Sequence, residues 1–252
     1  MEKISAVVIA GAEENNIAGC LESLAWADEI VVVNSESKDR TIEVAKKYTS
    51  RVFIRKWEGY ASQKEFSVEK ATNEWVLSID ADERISDELR EEIKALDFSI
   101  ADGFFIPRRN YFLDKVVRSC GWSPDYQLRL FRKSKAKLTD RRVHESFQVQ
   151  GKTAYLKSEL IHYTHPAISS TFEKIAEYST LEAQEKSTKI RMNASKIFFK
   201  PIWEFLHHFI IRHGFTDGVH GLMVSMIHAM TKAQVYMKIW EIQNVRNKRE
   251  TV

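Results

Sequence analysis

The sequence predicts an α/β fold, in which a mainly parallel sheet is flanked by helices and followed by a helical C-terminal extension. Three observations support this class. Up to about residue 97, short apolar segments alternate with amphipathic ones in the order β-α-β-α-β-α-β, which is typical of parallel strands with right-handed crossovers. Between about residues 98 and 166, strand-like segments follow one another with tight connections. From Ser169 onward, apolar residues recur at helical spacing.

The elements of the first part follow from apolar runs and from helical periodicity. Strands are expected at residues 4–9, 29–33, 52–54 and 75–79. Helices are expected at residues 15–24, 41–48, 60–71 and 86–94. Asp39 can cap the second of these helices, and Ser86 opens the last.

The later elements are expected to extend the sheet and cover the mouth of a pocket. Strands at residues 103–107, 111–117, 127–131 and 154–163 should be mixed or antiparallel additions. A boundary near Pro166 then separates a domain of residues 1–166, with halves of about 1–97 and 98–166, from a helical region of residues 167–252.

The composition indicates a folded protein with an uneven charge. Hydrophobic residues make up 44% and charged residues 29% of the chain, and the net charge is +3. Residues 186–252 hold 11 Lys or Arg and 4 Asp or Glu, an excess of +7, so the rest carries −4. Two cysteines indicate a reduced compartment, and no signal peptide is evident at the N-terminus, so a cytoplasmic location is expected.

The segment that carries most chemistry is the strand that begins at Trp75 and the acidic residues after it. Asp80 and Asp82 follow the strand at its carboxyl end, where open α/β sheets bind ligands. Carboxylates there can hold Mg²⁺ or Mn²⁺ against a diphosphate. The chain has neither the Gly-x-Gly-x-x-Gly spacing after its first strand nor a P-loop, so a bound diphosphate would need such a metal. The alternative is a solvated turn followed by a helix cap.

The chain resembles the family 2 inverting glycosyltransferases of the GT-A fold, and within them the lipopolysaccharide core β-1,4-glucosyltransferases. The resemblance covers almost the whole chain and depends on the order and spacing of eight segments. These are ADEIVVVNSESKDRT (27–41), QK (63–64), LSIDADER (77–84), PRRNYFL (107–113), GWSPDYQLRLFR (121–132), VHE (143–145), YST (178–180) and GFTDG (214–218).

The resemblance implies a role for each matching residue, with a donor half in residues 1–97 and an acceptor half in residues 98–166. Asp125 would be the catalytic base, Asp82 would bind the metal that bridges the donor diphosphate, and Asp80 would contact the ribose. The uridine pocket would be lined by Glu13, Asn34 and Lys64. His144 and Glu145 would lie near the diphosphate or the acceptor.

The chemistry of inversion explains why two separate acids are needed. One carboxylate takes the proton of the acceptor hydroxyl, and another holds the metal that neutralises charge on the leaving diphosphate. Asn34 stands where the family usually has Asp, and Ala12 where it has Asn. An amide can still donate and accept but carries no charge. Two alternatives are therefore kept: the pocket binds another nucleotide sugar, or the protein has lost its activity.

Two further stretches suggest partners. Arg129 begins a basic stretch that ends at Arg142, which is either a solvated edge or a contact for a phosphorylated acceptor. No nucleic-acid recognition module accompanies it. Apolar segments at 197–211 and 219–230 are too interrupted to span a bilayer. They are either core helices or, as the basic excess favours, an interfacial pair on an anionic leaflet at the inner face of a bacterial inner membrane.

The leading hypothesis is an inverting transferase that moves a sugar, with glucose expected, from a UDP-sugar to a lipopolysaccharide core or other glycolipid. A sugar nucleotidyltransferase is a second enzyme class, but its Gly-rich N-terminal loop with a trailing Lys is missing. A catalytically silent, membrane-associated relic of the fold is a third. Asn34 and Ala12 favour the relic, whereas Asp80, Asp82 and Asp125 oppose it.

Overall fold

The computed structural model describes residues 2–138 and 147–246. The chain divides into two compact units. The first comprises Met1–Arg109 and Asp125–His162, and the second comprises Asn110–Pro124 and Tyr163–Val252. Each is treated below by itself. The expected boundary near residue 166 stays a prediction.

The first unit opens with the predicted alternation of strands and helices. Its elements are β1 (Ile4–Ala10), α1 (Ile17–Ser23), β2 (Glu29–Asn34), α2 (Thr41–Ala45), β3 (Val52–Ile54), α3 (Tyr60–Lys70) and β4 (Trp75–Asp80). The strands pair in the order β3-β2-β1-β4, all in parallel. The α/β class with its parallel sheet is therefore confirmed, because short Val- and Ile-rich runs alternate with helices long enough to cross back over the sheet.

The later strands extend the sheet on the β4 side. They are β5 (Glu83–Ile85), β6 (Gly103–Phe112), β7 (Lys115–Val116), β8 (Tyr126–Arg132), β9 (Ala136–Leu138), β10 (Phe147–Val149), β11 (Thr153–Tyr155) and β12 (Leu160–His165), with helix α4 (Asp87–Lys94) after β5. The order continues from β4 through β8, β6, β12 and β5, with β11 and β7 also paired to β6 and with β9 and β10 as a separate pair. Strand β8 runs antiparallel to both β4 and β6, as expected for a mixed addition.

Two of the segments expected to be single strands, residues 111–117 and 154–163, are each divided between two strands in the structure. Residues 111–117 do not form one strand: β6 ends at Phe112, Leu113 has a φ of +57°, and the chain turns back so that Tyr111 pairs with Val116. Residues 154–163 form two strands, β11 and β12. The carboxylate of Glu92 on α4 accepts hydrogen bonds from the backbone N–H groups of residues 157 and 158 between them, which fixes a turn there.

The core of the first unit lies on both faces of the parallel strands, since alternate side chains point to opposite sides. One cluster joins Ala6 and Val8 to Leu21 of α1 and Leu89 of α4. The other face packs Val7, Val31 and Val76 against Phe131 and Phe147. Side chains buried on both faces leave the strand ends as the exposed, polar part of the sheet, which is where the candidate site lies.

The second unit is mainly helical, as predicted. Its helices are α5 (Ile168–Lys186), α6 (Ala194–Leu206) and α7 (Val219–Glu241), with a π-helical turn (His207–Ile211) after α6, a 3-10 turn (Gly214–Asp217) before α7 and a second π-helical turn (Ile242–Arg246) after it. Buried Cys120, Ile175 and Val224 lie in one small core of this unit. Among the residues described, no helix is both long and apolar enough to cross a bilayer.

A close backbone approach joins the start of α7 to the preceding turn in the second unit. A Cβ added to Gly221 would lie 1.8 Å from the carbonyl oxygen of Gly214, so only glycine fits there. Asp217, in the same turn, accepts hydrogen bonds from the backbone N–H groups of Arg118 (3.0 Å) and Ser119 (2.9 Å). These contacts fix the 110–124 segment to the α7 end of the unit.

Candidate active site

The candidate site lies at the carboxyl ends of the parallel strands of the first unit. Strand β1 is followed by Glu13, β2 ends at Asn34 and β4 ends at Asp80. Because parallel strands present their carboxyl ends at one edge of a sheet, these residues face the crevice where such sheets bind ligands. Helix α3 adds Lys64, whose Nζ lies 3.3 Å from Oδ1 of Asp80.

Asp80 is held in its ionised form by two cations. Besides Lys64 it contacts the guanidinium of Arg129, which projects from β8 and is 5% exposed. Burial alone would raise the pKa of Asp80, but Arg129 and Lys64 outweigh it and hold that pKa well below its usual range. Likewise, burial favours the neutral form of Arg129, but the two acids beside it raise its pKa. An ionised Asp80 at the strand end can accept hydrogen bonds from a bound nucleoside.

Glu83 is the buried centre of the site. Its side chain is fully buried, and one oxygen accepts a hydrogen bond from the backbone N–H of Asp80 at 3.0 Å. The other oxygen contacts Nη2 of Arg129 and lies 3.4 Å from Nη1 of Arg108. Two arginines thus compensate one buried carboxylate, as a buried charge requires. Glu83 thereby fixes the turn that carries Asp80.

Asp125 is joined to this cluster through Arg108 of β6. Its Oδ2 lies 2.8 Å from Nε and 2.7 Å from Nη2 of Arg108, and its Oδ1 accepts a hydrogen bond from Nε2 of Gln127 at 2.7 Å. The side chain is 20% exposed. A carboxylate oxygen can accept more than one hydrogen bond, and the donors on both oxygens fix the orientation of this carboxylate. The arrangement is suited to an oriented, partly exposed base.

The six side chains form one row of alternating charge. In order along the row they are Lys64, Asp80, Arg129, Glu83, Arg108 and Asp125. The row joins the strand end that faces the expected donor to the acid expected to act on the acceptor. Such a network fixes relative positions because each of the four inner members contacts a neighbour on both sides.

Asp82 lies beside His162 of β12. Its Oδ1 is 3.7 Å from Nε2 of His162, and both side chains are largely buried. One carboxylate and one imidazole fit a divalent ion that takes its other ligands from a diphosphate. They do not form an all-protein cage: within residues 2–138 and 147–246, no three His, Cys, Asp or Glu side chains are grouped as metal ligands.

Asn34 and Glu13 help to shape the loops at the strand ends. The Asn34 side chain is buried; it donates to the carbonyl oxygen of Gly11 (3.1 Å) and to Oγ of Ser37 (2.9 Å), and it accepts from the N–H of Ser37 (2.8 Å). Glu13 accepts a hydrogen bond from Nδ2 of Asn16 at 2.8 Å. Their roles in donor binding stay predictions.

The structure joins four of the predicted residues, Lys64, Asp80, Arg129 and Asp125, in one network of ion pairs, and the roles of all the predicted residues stay predictions. Arg129 lies inside the cluster, and its Nε is buried without a hydrogen-bond partner among the described residues. His144 and Glu145 lie outside the described residues, as does the end of the basic stretch after residue 138.

Three residues of the site are not among those predicted from the sequence: Glu83, Arg108 and His162. Glu83 and Arg108 lie within segments 77–84 and 107–113, which resemble the family, and this resemblance is the sequence feature that could have indicated them. Nothing local to His162 indicates its position, because only the pairing of β12 with β5 brings it to Asp82.

Comparison with known proteins places the chain in a family. Residues 5–162 match the family Glycosyl transferase family 2. An uncharacterized glycosyltransferase of Rickettsia conorii is 32% identical over 249 residues, covering 92% of this chain and 87% of that protein. The lipopolysaccharide core biosynthesis glycosyltransferase LpsC of Rhizobium meliloti is 30% identical over 255 residues, covering 93% and 92%.

Among solved structures, the chain is similar to S. aureus TarS 1–349 in complex with UDP. The TM-score is 0.49 and the sequence identity 16%, over 96% of this chain and 91% of that one. The family match covers most of the first unit, including Asp80, Asp82 and Asp125, and the two relatives are aligned over nearly their full lengths. The chain belongs to glycosyl transferase family 2: it is a glycosyltransferase with the GT-A fold and a helical C-terminal region.

Proposed function

We propose that this glycosyltransferase moves glucose from UDP-glucose to the inner core of a lipopolysaccharide, with inversion at the anomeric carbon. The role of LpsC in lipopolysaccharide core biosynthesis supports this acceptor, since that relative and this chain align over nearly their full lengths. The observation that supports the proposal is the row of charges from Lys64 to Asp125, which connects the acid expected to face the donor with the acid expected to act as the base.

On the acceptor side, Asp125 is the base. Inversion requires the acceptor hydroxyl to attack the anomeric carbon while a carboxylate takes its proton. Arg108 and Gln127 hold Asp125 through both oxygens, and the side chain remains partly exposed. Because two donors hold the carboxylate in a fixed orientation, less entropy is lost when the proton acceptor and the acceptor hydroxyl reach a reactive geometry.

On the donor side, Asp80, Lys64, Glu13 and Asn34 surround the nucleoside. Asp82, with His162 beside it, would hold Mg²⁺ or Mn²⁺ against the donor diphosphate. A divalent ion bound there neutralises charge that develops on the leaving diphosphate. The chain shows no glycine-rich phosphate loop after β1, which is why the donor needs this ion.

The protein acts at the inner face of the bacterial inner membrane, attached without spanning it. The support is the excess of +7 in residues 186–252, which favours an anionic leaflet. A lipid-anchored acceptor would be presented at that surface.

Calorimetry and a transfer assay with two variants test the proposal. UDP-glucose should bind in Mn²⁺ and lose affinity when the ion is chelated. Asp82→Asn should weaken donor binding, because the diphosphate loses its ion. Asp125→Asn should keep donor binding and lower transfer to a lipopolysaccharide core acceptor by roughly 10²–10⁴-fold, the range of general-base catalysis.

Asp87→Asn is the matched control, since its carboxylate is 83% exposed and lies on α4; it should change neither quantity. Near-normal transfer by Asp125→Asn would remove Asp125 as the base. Equal donor affinity with and without chelator would remove the metal role of Asp82. A screen of other nucleotide sugars, run in parallel, identifies the donor if UDP-glucose does not bind.

A further inference from the structure

Helix α6 is apolar and yet exposed. Eight of its thirteen residues are apolar, and none of the thirteen is buried. Phe198 is 64%, Phe199 62% and Trp203 52% exposed. Ile202 and Leu206 continue the same side of the helix, since residues three and four apart share a helix face. Helix α6 thus exposes a contiguous group of large apolar side chains to solvent. Monomeric soluble proteins rarely expose a large patch of this kind unless it binds a partner or a membrane.

Helix α7 extends the same kind of surface. Its inner side contributes Val224, Val235 and Ile239 to the small cores of the second unit. Its outer side carries a second apolar stripe, in which successive members are three, four or seven residues apart. The stripe consists of Val219, Leu222, Met226, Met230, Met237 and Trp240, all exposed. A helix that is apolar on both sides needs something to cover its outer side. We call the exposed sides of α6 and α7 the apolar face.

The helices that carry the apolar face have a net positive charge. From the start of α6 to the end of α7, residues 194–241 contain five Lys or Arg and three acids. Two of these acids are engaged within the unit: Glu204 lies 3.4 Å from Nε2 of His208, and Asp217 accepts hydrogen bonds from the N–H groups of residues 118 and 119. Lys196 and Lys200, one turn apart on α6, lie next to its exposed aromatic side by helical geometry. The face thus combines aromatic and aliphatic side chains with cations.

We propose that the apolar face is the surface by which the protein lies on a lipid monolayer with anionic headgroups. The aromatic side chains of α6 enter the boundary between headgroups and acyl chains, and Lys196 and Lys200 contact the phosphates. Anionic lipid complements these cations, whereas a second copy of the face would oppose them with the same charge. The inference extends the proposed function by naming the surface that brings the enzyme to its membrane-anchored acceptor.

Vesicle sedimentation of the full chain tests the proposal. The protein should sediment with vesicles of phosphatidylethanolamine and phosphatidylglycerol, and much less with phosphatidylcholine alone. The double variant Phe198→Ser/Phe199→Ser should lower the partition coefficient by about tenfold or more, because two largely exposed phenyl groups would no longer enter the lipid. Ile54→Ser is the matched control: it removes a 57% exposed apolar side chain from β3 in the first unit and should partition like wild type.

The second arm tests the cations. Lys196→Gln/Lys200→Gln should reduce binding to the anionic vesicles at low salt, and the difference from wild type should shrink at high salt as the charges are screened. Circular dichroism of every variant checks the fold. UDP-glucose binding should be unchanged in all of them, so a failure of the proposed donor chemistry would be seen separately from a failure of lipid binding.

The proposal is overturned if the full chain does not sediment with anionic vesicles, or if Phe198→Ser/Phe199→Ser partitions like wild type. Light scattering tests the alternative that a second copy of the chain covers the apolar face. That alternative is supported, and the lipid proposal rejected, if the wild type is dimeric, the double variant is monomeric and neither protein sediments with anionic vesicles. A monomeric wild type that sediments with anionic vesicles supports the proposal.

Discussion

Replacing Glu83 with Gln is the sharpest test of the charged row. Glu83 is fully buried, and its two oxygens accept from the backbone N–H of Asp80 and from Arg129 and Arg108. Gln keeps the shape but turns one oxygen into an amide donor. That donor must face either the N–H of Asp80 or a guanidinium, so a donor meets a donor, and the two arginines lose the charge between them.

The expected loss of stability follows from the burial of the site. Removing one partner of a buried ion pair costs about 3–5 kcal/mol, because the other charge remains buried and uncompensated. Asp80 still pairs with Arg129, which places the expected value towards the lower end. For a protein of this size each kcal/mol moves the melting temperature by about 2–4 °C. At about 3 kcal/mol, the melting temperature of Glu83→Gln should therefore fall by about 6–12 °C.

Thermal denaturation followed by circular dichroism measures this change at neutral pH. Glu91→Gln is the control: its carboxylate is 62% exposed and pairs with Arg90 and Lys94 on the surface of α4, so a change of at most about 1 kcal/mol is expected. Donor affinity of Glu83→Gln, measured below its melting temperature, should also fall, because the turn that carries Asp80 loses its anchor. A melting temperature within about 2 °C of wild type would refute the view that Glu83 compensates the two arginines.

Two further predictions follow from contacts of the site, and a third follows from a largely buried histidine of the second unit. Arg108→Lys should lower transfer more than donor binding, because a lysine cannot hold Asp125 through two nitrogens; equal losses in the transfer assay and in calorimetry would argue against a positioning role. His162→Gln should raise the Mn²⁺ concentration needed for half-maximal UDP-glucose binding, and an unchanged titration would exclude His162 as a ligand. Burial lowers the pKa of His228 from 6.5 to about 3, so the unfolded chain binds this proton first. The stability it contributes is present above about pH 6.5 and is lost as the pH falls towards 3. His228→Gln should therefore flatten the fall of the melting temperature between pH 6.5 and 4.

Much of the fold could be predicted because its signals are local. The runs that form β1 and β2 are short and rich in Val and Ile, and each is followed by a helix. The turn at Leu113 carried no such signal: a leucine with positive φ is unusual, so one continuous strand was the natural expectation. The three-residue strands β5, β9, β10 and β11 are too short for any period to show.

The candidate site was predictable only as far as the motifs reach. Asp80, Asp82 and Asp125 stand in segments with a recognisable order; Asp80 ends a strand, and Asp82 lies in the turn that follows it. Which acid pairs with which arginine depends on contacts between residues that are far apart in the sequence: Arg129 lies 49 positions from Asp80. The sequence carries the residues of the charged row but not its connections, because those depend on the antiparallel addition of β8 and β6 to the parallel strands.

The charged row and the hydrogen bonds of Asn34 both bear on whether the protein is a relic of the fold that has lost its activity. A relic would be expected to lose compensation for its buried charges, since unpaired charges are costly and nothing selects for their partners. Here every acid of the row has a cation on at least one side. Asn34 donates to the carbonyl oxygen of Gly11, and an Asp at that position would put a carboxylate oxygen against that carbonyl oxygen. In this loop geometry the amide satisfies a contact that the carboxylate could not. The substitution therefore fits a maintained loop between β1 and β2, and it gives no physical reason to read the pocket as abandoned.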